Sequence, residues 1–414
     1  MLSILSSPRL WLLAFMAIFF AAQPWHRDVG VTAFQLICLF STCCLFFFRT
    51  LIDQVCELKV LAIGVSGIAA ISVLSWICRE YDEAPFRAVK PYIFLLSIVP
   101  IVFLIRIQRI KTSELAFILI VAGVSLLVYG IHQYVTGYTG RWDGVENAVE
   151  FGNYAAVMAG LSFLLSFGLA RDRLSWLIRV TLFIVGAAEL YITYKSGTRS
   201  SLGVVLVAVL IGLAYFSVVR KSWVIVLTLF LVSLLSMFML KDTPRAKFLQ
   251  SEVVQAMGGG YASGSLGQRF EMWRLATCLA GEFPVLGVGI GGFKYAQLDS
   301  WKSDCNVKIT ARKGYYHQAH SVYFHTLATM GYLGLIAMLG MLITLVTIGL
   351  RYFKSSGALL LFTVLSFMAA GLTVDLYFKD FMVARFILLI SIGVCLISRA
   401  PGGQSTTTPA DSKV

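Results

Sequence analysis

The residues best placed to do chemistry are ionisable side chains at the ends of long apolar runs. Lys195-Ser196-Gly197-Thr198-Arg199-Ser200-Ser201 stands between two such runs, Arg269 lies in one long loop, His320 opens a later run and Asp375 closes the next. Placing a charge in lipid is costly, so groups of this kind usually mark a functional cavity. Arginine forks suit anionic oxygens, and a neutral histidine suits removal of a proton from a hydroxyl. The competing reading for Lys195 and Arg199 is snorkelling to headgroups. Against it, Arg269, His320 and Asp375 fall on the same side of the membrane. Glu189 and Arg385 also lie near membrane depth, where structural ion pairing is the default expectation.

Other patterns carry less. Gly287-Val288-Gly289-Ile290-Gly291-Gly292 satisfies a dinucleotide-binding spacing but lacks the strand and crossover context such a site needs. A glycine-rich turn after Pro284, bringing backbone close to a helix or ligand, is the better reading. His317, His320 and His325 lack the companions of a zinc site, and no metal is expected. Glu80, Asp82 and Glu83 offer oxygens suited to Mg²⁺ or Mn²⁺, yet beside Arg79 and Arg87 they read better as solvated surface charge. Cys278 and Cys305 share the long loop and form a disulfide only if that loop is outside the cytoplasm.

The elements that position these residues follow from composition. Of 414 residues 58% are hydrophobic and 13% charged, with a mean hydropathy of +0.82, which excludes a soluble enzyme. Continuous apolar runs near the length of a bilayer crossing indicate an all-α polytopic membrane protein rather than a β-barrel. Spans are expected near 10–22, 29–48, 60–78, 90–105, 112–135, 152–170, 175–194, 200–219, 223–240, 321–350, 357–376 and 382–398, about twelve in all. Arg9 and Ala21-Ala22 flank the first run as in a signal peptide, but the many later spans favour an uncleaved helix.

Fifteen Lys and Arg fall in loops on the side of the N-terminus and eight in the short loops opposite, so both termini are expected in the cytoplasm. The net charge of +13 then reports on topology and anionic lipid, with nothing to suggest nucleic acid. The chain divides into spans one to nine (1–240), a large outward loop (241–320), three further spans (321–398) and a polar tail (399–414). The loop carries ten Lys and Arg against six Asp and Glu, which suits an anionic partner or, more simply, lipid headgroups. Within it, Leu266, Phe270, Trp273 and Thr277 share a helical face, as in a helix lying at a membrane surface, and Gly258-Gly259-Gly260 makes the loop a candidate lid.

Four segments in this order resemble the O-antigen ligase family of the O-antigen ligase and polymerase superfamily: Ser196-Gly197-Thr198-Arg199-Ser200; Gln268-Arg269-Phe270-Glu271-Met272-Trp273; Glu282-Phe283-Pro284-Val285-Leu286-Gly287-Val288-Gly289; and His320-Ser321-Val322-Tyr323 running into Gly331-Tyr332-Leu333-Gly334. Position 321 is Ser where many relatives have Asn. The resemblance implies a glycosyltransferase of GT-C-like architecture with a large periplasmic loop in the bacterial inner membrane. It would transfer a polysaccharide from an undecaprenyl-diphosphate carrier to lipid A-core, inverting the anomeric centre, with no cofactor and no metal. His320 matches the family's essential histidine, and Arg199 and Arg269 its functional arginines. Asp375 looks like the family's late acidic residue, with Asp380 a rival, and is expected to orient His320 or hold sugar hydroxyls. Lys195, Arg274, Arg312, His317 and Tyr323 are expected as supporting residues on position alone. A polymerase and a protein O-oligosaccharyltransferase would share the donor chemistry. A lipid-linked glycan transporter is the remote alternative, since its polar features would sit at the midplane in both halves.

Overall fold

A computed structural model describes residues 7–47, 56–80, 86–138, 140–144, 147–169, 174–198, 200–222, 265–297, 315–375 and 380–397, with 227, 251, 254 and 305 singly. Among these residues every regular element is a helix, and there is no strand. Its principal helices are α1 (Pro8–Ala22), α2 (Arg27–Phe47), α3 (Cys56–Ile77), α4 (Lys90–Ile107), α5 (Thr112–Val135), α6 (Ala148–Ser166), α7 (Trp176–Ser196), α8 (Ser200–Tyr215), α9 (Ser265–Glu282), α10 (Val322–Arg351), α11 (Ala358–Gly371) and α12 (Asp380–Ile397).

Eight described helices, α3 to α8, α10 and α12, are long and apolar enough to cross a membrane, and α1 and α11 are shorter apolar helices. The protein is therefore a multi-pass membrane protein. The expected ninth span, 223–240, falls almost entirely outside the described residues, as do the Gly258-Gly259-Gly260 run and the tail. The eleventh expected span, 357–376, is shorter than composition suggested: its helix stops at Gly371 and turns, which leaves Asp375 in a non-helical segment.

The bundle surrounds α12, whose residues from Phe381 to Ile397 are all buried. A helix apolar on every side belongs in such a centre. It packs on α4 and α11, while α6 packs on α7 and α8, and α3 on α10. Helix α4 passes through a 3₁₀ turn at Leu95–Ser97, where Pro100 has no N–H to bond the carbonyl one turn back. Asn147 caps α6 by accepting from the Val149 and Glu150 N–H groups at 2.9 and 3.0 Å.

The loop before α10 folds onto it. Met272, Leu275, Ala276 and Leu279 of α9 form a buried cluster with Val288, Phe293, Tyr316, Ala319 and Ala328. That stripe differs from the face expected from sequence, since Phe270 and Thr277 stay exposed and only Trp273 turns partly inward. The segment after Pro284 meets α10 where the helix breaks at Gly331, whose backbone (φ 64°, ψ −166°) lies outside the helical region. The Tyr332 N–H donates to the Pro284 carbonyl (2.8 Å), the Leu333 N–H to that of Val285 (3.4 Å), and the Val288 N–H to that of Ala328 (2.9 Å). A side chain at 331 would collide with the Val285 carbonyl, so glycine is required both for the dihedral and for the contact. The freed helical groups are thus satisfied by protein, the condition for breaking a helix in a membrane. Cys278 and Cys305 are joined by a disulfide, with Cα atoms 5.9 Å apart.

Candidate active site

His320 occupies the residue before the α10 N-cap, Ser321, and takes a left-handed backbone, φ 47°. Few non-glycine residues adopt that conformation, and such outliers persist only where neighbours fix them. The neighbours here are specific. Trp273 Nε1 donates to the Ala319 carbonyl (3.1 Å), and the Trp273 ring stacks on Phe324 at 5.0 Å. Ser321 Oγ donates to the Gly371 carbonyl (3.3 Å), and the Tyr323 hydroxyl to that of Met368 (3.0 Å). His320 is therefore clamped between α9 and the end of α11.

The His320 ring is crowded by protein although the residue keeps an exposed surface. Burial, then the Arg269 guanidinium, then His325, push its pKa from 6.5 down to about 4. The imidazole is consequently neutral at physiological pH and able to accept a proton. Arg269, half-buried on the first turns of α9, is thereby placed close enough to act on it.

Asp375, fully within the protein, lies with Oδ2 3.4 Å from His325 Nε2. His325 entered the sequence analysis only as a zinc ligand. Nothing in a spacing of fifty residues could have paired it with Asp375. The Phe293 ring also meets it edge-on at 5.5 Å, tying the loop to this part of α10.

Arg199 lies outside the described residues, but its neighbours on either side make specific contacts. Gly197 ends α7 in the left-handed conformation, Thr198 Oγ1 donates to the Ala148 carbonyl (2.7 Å), and Ser200 Oγ donates to Asn153 Oδ1 (3.0 Å). A Cβ at Gly152 would overlap Ser196 and Thr198, so α6 can approach the turn only because that position is bare. Arg141, not singled out by sequence, donates from Nε to the Ser196 carbonyl at 2.8 Å and from Nη2 to Thr198 Oγ1 at 3.3 Å. Gly203, one turn beyond, packs on Ala369. The neighbouring Gly371 carries Ser321, so the turn and His320 share one end of the bundle.

The supporting residues divide. Lys195 Nζ lies over the Trp142 and Tyr191 rings at 5.9 and 5.6 Å. Tyr323 spends its hydroxyl on Met368, Arg274 is exposed on α9, His317 is exposed against Tyr315, and Arg312 lies outside the described residues. Asp380 pairs with Lys90 at 2.7 Å, which leaves Asp375 as the acid nearer the histidines. Of the Glu80 cluster, Asp82 and Glu83 also lie outside the described residues, while the Glu80 N–H donates to the Val288 carbonyl (3.3 Å).

Residues 182–339 match the family model described as O-antigen ligase. That stretch is similar to the O-antigen ligase family. The matched segment holds the Arg199 turn, α9 with Arg269, the glycine-rich insertion and His320, while Asp375 and the α12 centre lie outside it. No curated protein matches the chain.

Proposed function

We propose that this protein is a glycosyltransferase of the O-antigen ligase family that moves a polysaccharide from undecaprenyl diphosphate to a sugar hydroxyl of lipid A-core. The observation that carries this reading is the neutral His320 beside Arg269, inside the segment that matches the family. His320 takes the proton of the acceptor hydroxyl as its oxygen attacks the anomeric carbon. The bond from that carbon to the diphosphate oxygen breaks on the opposite face, so the centre inverts and no carboxylate nucleophile is needed. The electron pair leaves on the diphosphate, whose growing charge Arg269 and Arg199 neutralise in place of a metal. The charge asymmetry of the short loops, and a disulfide in the loop, support a periplasmic site in the inner membrane with both termini cytoplasmic.

The test uses purified protein in detergent and EDTA with an undecaprenyl-diphosphate-linked glycan, with lipid A-core added or omitted. A larger lipopolysaccharide that needs lipid A-core, resists EDTA and is lost in His320→Ala is the expected result. Lengthening of the donor glycan without lipid A-core would make the protein a polymerase, and loss of product in EDTA alone would overturn the role given to the arginines.

A further inference from the structure

The turn that carries Arg199 begins at the C-terminal end of α7. The last four carbonyls of a helix lack partners within it and form its negative pole, which opposes an anionic ligand. In α7 these carbonyls belong to residues 193–196, and each is taken up. Ser196 Oγ donates to that of Thr193 (2.7 Å) and the Gly197 N–H to that of Tyr194 (3.0 Å). The other two are met by the connection between α5 and α6. The Trp142 N–H donates to the Lys195 carbonyl (3.3 Å), and Arg141 Nε donates to that of Ser196 while Nη2 reaches Thr198 Oγ1. One planar guanidinium thus straddles Gly197 and covers the negative pole with positive charge. Arg141 lies outside residues 182–339, the stretch matched to the family.

The connection that brings Arg141 there is itself fixed. Trp142 is 7% exposed, and a Cβ at Gly130 of α5 would overlap its ring. Gln133 Nε2 donates to the Asp143 carbonyl, and the Tyr138 hydroxyl to Asp143 Oδ2 (3.2 Å). Across the turn, Ser201 Oγ donates to the Thr198 carbonyl (2.6 Å), so Ser196, Thr198, Ser200 and Ser201 all donate their hydroxyl protons within the protein. These short side chains shape the turn, and Arg199 is its one charged residue.

We infer that Arg141 is a positioning residue, a clamp that holds the turn so that Arg199 meets the donor diphosphate. The diphosphate rests on the transferase reading above; the clamp rests on the contacts of Arg141. The test uses intact protein in detergent as wild type, Arg141→Gln, Arg141→Lys, Arg199→Gln and the double variant Arg141→Gln with Arg199→Gln. Equilibrium binding of undecaprenyl diphosphate is measured beside amide hydrogen exchange of the turn.

Arg141→Gln should bind undecaprenyl diphosphate about tenfold more weakly, the equivalent of one charge-assisted hydrogen bond, and the double variant should bind no more weakly than Arg199→Gln alone. Exchange should quicken in the turn and not in the rest of the bundle. Arg141→Lys should restore little, because an ammonium keeps the charge at the helix end but not the fork. Equal binding by wild type and Arg141→Gln, losses that multiply in the double variant, full rescue by lysine, or exchange that is unchanged or quickened throughout the bundle would each overturn the clamp. Failure of wild type to bind undecaprenyl diphosphate would overturn the transferase reading instead, and exchange in the turn would still decide whether Arg141 holds it.

Discussion

His325 places Nε2 3.4 Å from Asp375 Oδ2, with both residues buried, five positions along the chain from the proposed base His320. The pair fastens the first turns of α10 to the segment that follows α11, and His325 in turn contributes to holding His320 neutral. Asp375 thus touches His325, which stands between it and the proposed base.

If the pair is a unit, its members should not be independent. Asp375→Asn and His325→Gln should each lower the Tm, and the double variant should be less destabilised than the sum of the two by about 0.5–3 kcal/mol. Strict additivity in a thermal-unfolding cycle would show that the two side chains do not interact.

His320→Ala should reduce the rate of transfer by about 10²–10⁴-fold, the usual contribution of a positioned general base, with donor binding retained. An equilibrium binding measurement beside the rate separates this from misfolding, since loss of both together would mean that His320 holds the loop in place and does no chemistry.

Gly331→Ala should destabilise the protein by more than the roughly 1–3 kcal/mol cost of a side chain in a backbone region open essentially only to glycine, because the new Cβ also collides with the Val285 carbonyl. Gly340, on the same helix with open space around it, provides the control: Gly340→Ala should leave the Tm unchanged or raised. Equal effects at the two positions would show that the loop does not dock into the helix break.

The Cys278–Cys305 bond closes a separation of 27 residues, for which loop-closure entropy predicts about 3–4 kcal/mol of stabilisation. Treatment with a reductant should therefore expose the α9 region to protease before the rest of the bundle opens. Unchanged protection would place the stability of the loop in its apolar cluster alone.

Much of the bundle was legible because continuous apolar runs bounded by charge leave few choices: α5 was expected at 112–135 and spans Thr112–Val135, and the helix expected over Leu266 to Leu279 runs from Ser265 to Glu282. The break in α10 was hidden, since Gly331 sits inside an unbroken apolar run and its partners arrive from Pro284 and Val285. The start of α6 was missed because Glu150 reads as a polar flank, although capping by Asn147 begins the helix before it and the bundle buries it. At the site, residue type singled out Arg269 and His320, which the fold brings together. His325, Arg385 and Arg141 each make contacts with distant segments that no local pattern encodes.

The central claim is that His320 is a base kept neutral by its surroundings, Arg269 among them. Its most direct test is the pH dependence of kcat/KM for glycan transfer in wild type and in Arg269→Gln. A base works only when deprotonated, so with a folded pKa of about 4 the wild-type profile should stay flat as pH falls from 7 through 5 and drop only near 4. Removing the guanidinium charge removes one cause of the depression, so the limb should move up, to between about 4 and 6.5, because burial still acts. A wild-type limb at 6.5 that Arg269→Gln leaves in place would contradict the account.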